Sequence, residues 1–277
     1  MLTVGMRNTA LPKIWSLLKR LRWIHSMSAG VEQVLFPALI ESDIPLTNAR
    51  GVFKRSLAEF ALLGMLYFAK GLPRLVEQKR AHKWDPFMVE WLPERNVAIV
   101  GYGEIGKECA LLAKGLGARI LANRRRPELL DSDGILDKAY PLTGLHDMLR
   151  EADYVVAAAP NTPDTWHMIS DAEFAAMKKN AVLINVGRGT VVDETALIRA
   201  LERRQIAGAA LDVFEREPLA ATSPLWDLPN VLISPHCTDR TRDPDWLDLA
   251  MKRFVTNFHH FRKGEPLEFV VDKKAGY

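Results

Sequence analysis

One segment restricts the fold of this chain more than any other. The short, mostly apolar run Asn96-Val-Ala-Ile-Val100 leads straight into Gly101-Tyr-Gly-Glu-Ile-Gly106, and a helical pattern covers Glu104–Lys114. A strand, a glycine turn and a helix in that order form half of a βαβ unit. The pattern then repeats without the glycines. Apolar runs follow at Arg119–Ala122, Tyr154–Ala158, Ala181–Val186, Ala207–Leu211 and Val231–Ser234. Helical stretches such as Asp171–Lys178 and Asp193–Arg203 lie between most of them. Strands separated by helices pair in parallel through right-handed crossovers. Runs that are apolar throughout, not alternating, suit a sheet covered on both faces. The expected fold class is α/β, with a Rossmann-type doubly wound parallel sheet.

Long helical patterns flank this core. One runs over Ser56–Gln78, with Gly64, Gly71 and Pro73 expected to kink or stop it. The other covers Asp245–Lys263 and is followed by a short tail, Pro266–Val271. Before Asn48 the pattern is thinner: Leu2–Val4 and Arg22–Ser26 read as strands and Leu11–Lys19 as a helix. The first 31 residues hold five basic side chains and no acid, a bias shared with transit peptides. The strand-like Leu21–Ser26 argues for folded domain there instead.

Composition narrows the function classes. The 277 residues are 48% hydrophobic with a net charge of +3 and no long basic block, so nucleic-acid binding is not expected. No apolar run is long enough to span a bilayer, so no membrane partner is expected either. Two cysteines, Cys109 and Cys237, form no disulfide or metal pattern, which points to a reducing, cytoplasmic setting and no metal.

The glycine loop carries the first chemistry. Gly101 allows the tight turn, Gly103 lets backbone approach a pyrophosphate, and Gly106 lets helix and strand pack closely. The N–H groups of Glu104, Ile105 and Gly106 open the helix, where its dipole favours phosphate. A dinucleotide is the expected ligand. An acid on the 2′-hydroxyl of the ribose is usual about 20 residues further on in NAD sites. Here the sequence reads Ala122-Asn-Arg-Arg-Arg126. Asn123, Arg124 and Arg125 are therefore expected to read a 2′-phosphate, making NADP the preferred cofactor over NAD.

Three later strand ends carry polar residues: Asn185-Val-Gly-Arg-Gly189, Leu211-Asp-Val-Phe-Glu-Arg-Glu-Pro218 and Ser234-Pro-His-Cys237. An arginine between glycines is poorly suited to core packing and well suited to fork onto a carboxylate. Together with Pro224-Leu-Trp-Asp-Leu-Pro-Asn230, Ser28-Ala-Gly-Val31 and Asn48-Ala-Arg-Gly51, these segments resemble, in order, the signatures of D-isomer-specific 2-hydroxyacid dehydrogenases. The resemblance runs from about Leu21 to the C-terminus.

That resemblance implies a catalytic trio. Arg188 binds the substrate carboxylate, His236 exchanges a proton with the substrate oxygen, and Glu217 supports His236 and favours its imidazolium form. It also implies that Ala29, Gly30 and Val31 offer backbone N–H groups to the substrate. Pro160 and Val186 line the cofactor cleft, and Asp212 bonds the nicotinamide carboxamide. Trp166 and Trp226 are expected to pack. The implied substrate is a small 2-keto or 2-hydroxy acid, with glyoxylate or hydroxypyruvate reduction favoured. An NAD-linked phosphoglycerate dehydrogenase-like enzyme and a dinucleotide-sensing regulatory protein on the same fold are the alternatives. The implied architecture places the dinucleotide-binding domain, 52–240, inside a smaller, N-terminally truncated, flavodoxin-like substrate domain, 1–51 and 241–277. A homodimer is expected through the long helix after Ser56 and the aromatic stretch His82–Trp91.

Overall fold

The computed structural model describes residues 2–4, 10–123, 134–242 and 244–277. The chain forms two compact units, Met1–Lys54 with Asp239–Tyr277, and Arg55–Thr238. In the first, the strands β1 (Leu2–Val4), β2 (Ile24–Ser26) and β3 (Leu46–Thr47) pair in parallel in that order. Two short helices, α1 (Leu11–Ile14) and α2 (Pro37–Ile40), each start with proline in the first turn, where its missing N–H costs nothing. Leu11, Ile24, Val31, Val34, Leu39 and Leu46 form the core with Val271 from the tail.

The second unit holds seven strands: β4 (Asn96–Val100), β5 (Arg119–Asn123), β6 (Lys138–Tyr140), β7 (Tyr154–Ala157), β8 (Val182–Asn185), β9 (Gly208–Leu211) and β10 (Val231–Ile233). All pair in parallel, in the order β10-β9-β8-β7-β4-β5-β6. Helices α3 (Lys54–Ala69), α4 (Leu72–Arg80), α5 (Glu104–Gly115), α6 (Leu145–Glu151), α7 (Asp171–Ala176) and α8 (Glu194–Glu202) connect and cover them. Alternate strand residues serve opposite faces. Val97 and Ile99 pack with α3 and α5, whereas Ala98 and Val100 pack with α6, α7 and α8. This is the doubly wound Rossmann arrangement. The sheet order turns back between β4 and β7, and such a switch point opens a crevice at the carboxyl ends.

Of the kinks or stops expected in the long N-terminal helix, those at Gly71 and Pro73 are present and the one at Gly64 is not. Ser56–Gln78 is two helices, broken where Gly71 takes a left-handed φ of +62° and Pro73 opens α4. Gly64 does not kink α3. It lets the helix lie on the sheet, since a Cβ there would sit 2.9 Å from Ala210 Cβ.

The last helix, α9 (Trp246–Lys263), returns to the first unit. Asp245 caps its start by accepting the Leu247 N–H at 2.7 Å, and Gly264 ends it at φ +71°. Among the described residues, no helix is long and apolar enough to cross a membrane.

Candidate active site

The glycine loop fits a dinucleotide. Gly101 has φ +94°, and a Cβ there would lie 2.7 Å from Ala159 backbone, so the β4 and β7 loops meet across this glycine. At Gly106 a Cβ would come within 2.3 Å of Gly101 O, which is why turn and helix can pack so closely. Gly103 differs: nothing lies within 4 Å of its Cβ position. It caps α5 facing open space, as a pyrophosphate against the helix start requires. Glu104 is exposed and Ile105 half-buried at that start.

Asn123 ends β5 and is buried. Its Oδ1 accepts the Gly101 N–H at 3.4 Å, and its backbone oxygen accepts the Tyr102 N–H at 3.3 Å. Its Nδ2 has no hydrogen-bond partner among the described residues. A neutral amide thus props the glycine turn where a carboxylate would repel a phosphate. Arg124 and Arg125 lie outside the described residues. Pro160 is exposed just past β7, and its oxygen accepts the Thr165 hydroxyl at 2.6 Å. Val186, just past β8, is buried.

Arg188 sits on a turn shaped by Asn185. The Asn185 Oδ1 accepts the Gly187 N–H at 3.1 Å, and its Nδ2 donates to Arg188 O at 3.1 Å. Arg188 Nη1 donates to Gly187 O at 2.9 Å. Gly189 brings the next loop in: a Cβ there would fall 1.9 Å from the Phe214 carbonyl. The loop carrying Glu217 therefore rests directly on the Arg188 turn. Asn185 and Gly189 shape this turn without themselves being expected site residues. Their signal was present as glycines and an amide flanking the arginine.

Glu217 and His236 are brought together. His236 Nδ1 and Glu217 Oε2 lie 2.7 Å apart, and Glu217 Oε1 accepts the Phe214 N–H at 3.1 Å. Partial burial raises the Glu217 carboxyl. The hydrogen bonds from His236 and Phe214 and the charges of His236 and Arg188 outweigh burial and hold it below the usual range. His236 adopts φ +49°.

Asp212 is fully buried beneath this turn. Its Oδ1 accepts from Ser234 Oγ at 2.6 Å and from the N–H groups of Cys237 and Thr238 at 3.2 and 3.4 Å. Its Oδ2 accepts the Thr238 hydroxyl at 2.6 Å. In this structure the carboxylate holds the His236 turn in place. Trp166 and Trp226, expected to pack, are about half exposed. Trp166 stacks on His167 with ring centroids 4.8 Å apart, and Trp226 donates to Ala220 O at 3.0 Å.

The Ser28–Val31 loop belongs to the other unit. Asn48 Nδ2 donates to Ala29 O at 2.6 Å, the Ser28 N–H bonds Ser26 Oγ at 3.2 Å, and Val31 is buried. Gly30 is half-buried between them.

A parallel doubly wound sheet with a phosphate-ready glycine turn and polar strand ends defines a nicotinamide-dinucleotide-dependent class. The chain belongs to the D-isomer specific 2-hydroxyacid dehydrogenases, whose NAD binding domain model matches residues 62–238. It is 35% identical over 269 residues to a glyoxylate reductase of Thermococcus gammatolerans, covering 92% of this chain and 78% of that one. Among solved structures, it resembles an NADPH-dependent glyoxylate/hydroxypyruvate reductase from Sinorhizobium meliloti in complex with NADP and sulfate. That match has a TM-score of 0.86 and 29% identity, over 99% of this chain and 86% of that one. A probable 2-hydroxyacid dehydrogenase from Rhizobium etli in complex with NADP matches with a TM-score of 0.86 and 26% identity over the same shares.

Proposed function

We propose that this protein is a reductase of small 2-keto acids, glyoxylate or hydroxypyruvate, that prefers NADPH to NADH. The observation that carries the reading is the 2.7 Å His236–Glu217 pair, set at strand ends with the Arg188 charge acting on it. Family membership and the names of the relatives support the substrate class. When bound, the nicotinamide supplies the hydride; the protein binds, orients and polarises.

Arg188 forks onto the substrate carboxylate and fixes which carbonyl face is presented. With Nδ1 engaged by Glu217, His236 gives a proton from Nε2 to the carbonyl oxygen as it gains charge. Glu217 keeps the ring oriented and favours its protonated form. Because the Glu217 carboxyl is held below the usual carboxylate range, it stays ionised above that range, and its charge is lost as pH falls through the lowered value. Ala29, Gly30 and Val31 are assigned to the substrate carboxylate. Gly101, Gly103, Glu104, Ile105, Gly106, Pro160 and Val186 are assigned to the dinucleotide. Asp212 is assigned to the His236 turn in addition to the nicotinamide side of the cleft.

The NADPH preference rests on Asn123 being neutral, on the basic residues that follow it, and on relatives solved with NADP. Trp84, Met88 and Trp91 are 95%, 95% and 72% exposed, an apolar surface suited to a homodimer contact. Cys109 and Cys237, both unpaired thiols, suit a reducing cytoplasmic setting. The test is NADPH and NADH oxidation with glyoxylate, hydroxypyruvate and pyruvate in turn. The reading expects turnover with the first two and a higher kcat/KM for NADPH. Turnover with NADH alone would remove the cofactor assignment, and no turnover with any acid would remove the substrate class.

A further inference from the structure

Outside the trio, one cluster of ionisable side chains bears on it. Three segments meet there: the loop after β7, the start of α8, and the loop that carries Glu217. The first two run side by side. The His167 N–H donates to Thr190 O at 2.8 Å, the Ile169 N–H to Val191 O at 3.0 Å, and the Asp193 N–H to Ile169 O at 2.9 Å. The second and third exchange hydrogen bonds. The Glu194 N–H donates to Glu215 Oε1 at 2.9 Å, and the Glu215 N–H donates to Glu194 Oε2 at 3.3 Å.

This exchange sets two carboxylates against each other. Burial, then the Glu215 charge, raises the Glu194 carboxyl above its ordinary range. The side chain that faces the pair is the His167 imidazole. Its Nε2 lies 2.8 Å from Glu215 Oε1, at ion-pair distance though out of line for a hydrogen bond. Its Nδ1 lies 3.9 Å from Asp193 Oδ2, which also accepts the Ser170 hydroxyl at 2.9 Å. The acids flank opposite nitrogens of the ring, and the Trp166 ring stacks on its face. The arrangement is that of an imidazole braced between two acids.

We infer that His167 is a positioning residue for the proposed acid–base pair: through Glu215 it holds the loop that carries Glu217, and so sets how Glu217 meets His236. Glu215 is two residues from Glu217, and the peptide joining Phe214 to Glu215 rests on Gly189 beside Arg188. A shift of that loop moves Glu217 relative to both His236 and Arg188, the two charges that face it. Removing the His167 ring takes away the partner that Glu215 meets at 2.8 Å and leaves that carboxylate facing Glu194, which frees the loop to move.

The inference rests on the trio proposed above, so its test has a readout that needs no substrate. The His236 ring is titrated by NMR in the wild type, Glu217→Gln, His167→Ala and Glu215→Gln. The Glu217→Gln variant calibrates full loss of the supporting charge and moves the His236 midpoint to lower pH. His167→Ala and Glu215→Gln are expected to move it in the same direction by part of that amount. If glyoxylate is turned over, both variants should also lose roughly ten-fold in kcat with a smaller change in KM. Restoring a donor with His167→Gln should recover part of both effects. A folded His167→Ala protein with the wild-type His236 titration would overturn the inference. If that variant does not fold, an unchanged titration in Glu215→Gln would overturn it equally. An absence of turnover by the wild type would count against the substrate reading and leave the NMR result to decide this one.

Discussion

The two units solve the problem of a polar interior in opposite ways. In the second unit, strand interiors are apolar and the buried polar groups gather at strand ends, as with Asn123, Asn185, Asp212 and Ser234. The sheet needs none of them for its core, so they are available to shape a site. In the first unit the strands are two or three residues long, and His25, Ser26, Thr47, Asn48 and Asn257 are buried as part of the interior. Trp23 Nε1 donates to Thr47 Oγ1 at 2.9 Å, and His25 Nδ1 meets the same oxygen at 2.7 Å. Phe254 and Phe261 of α9 lie against the Trp23 ring. A short sheet with few ladder bonds thus relies on side-chain hydrogen bonds and aromatic contacts for its definition. Polar substitutions should therefore cost activity in one unit and stability in the other.

The largest effect expected is at Arg188. Arg188→Ala should lower kcat/KM for a 2-keto acid about 10³-fold with melting temperature nearly unchanged. A large loss of stability instead would blur the distinction between the units. Next comes acid sensitivity of the first unit. Burial, then the Arg253 charge, lowers the His25 pKa to about 4. The unfolded chain therefore takes up the proton first. Stability is whole above about pH 6.5 and falls as pH drops toward 4, by about 3 kcal/mol in all. Denaturant unfolding monitored at Trp23 between pH 7 and 4.5 measures it, and His25→Asn should flatten the dependence.

Gly189→Ala tests the contact between the two catalytic loops. Its Cβ cannot fit against Phe214, so the Glu217 loop must move, and turnover should fall by about 10²-fold while dinucleotide affinity holds. The smallest effect is at Gly64. Alanine there gains about 1 kcal/mol of helix propensity but overpacks Ala210, at a cost of about 1–3 kcal/mol. Thermal unfolding of Gly64→Ala should show a modest net loss; a gain would mean that α3 has room to rise off the sheet.

Legibility in the sequence follows the same divide. The six apolar runs became β4, β5, β7, β8, β9 and β10, each within a residue or two at its ends, because full burial demands unbroken hydrophobicity. The edge strand β6 escaped notice, since Lys138 and Ala139 are exposed and only Tyr140 is buried. β3 was missed because two residues carry no periodicity. Leu11–Lys19 proved to be one turn of α-helix followed by a 3-10 turn, Trp15–Leu17. The glycine loop and the Glu217–His236 pair could be read because their spacing is local or their segments are distinctive. The Asp212 network and the His167 brace could not. They join residues that lie 21 to 48 positions apart in the chain, and no local pattern reports such contacts.

His236 as the proton donor at the strand ends is the centre of the proposed mechanism. The direct measurement is single-turnover oxidation of bound NADPH by glyoxylate in the wild type and His236→Gln, with NADPH affinity measured in parallel. The expected result is a loss of at least about 10²-fold in the rate, with the dissociation constant for NADPH unchanged. A rate within two- to three-fold of the wild type, with the variant folded and NADPH bound, would contradict it.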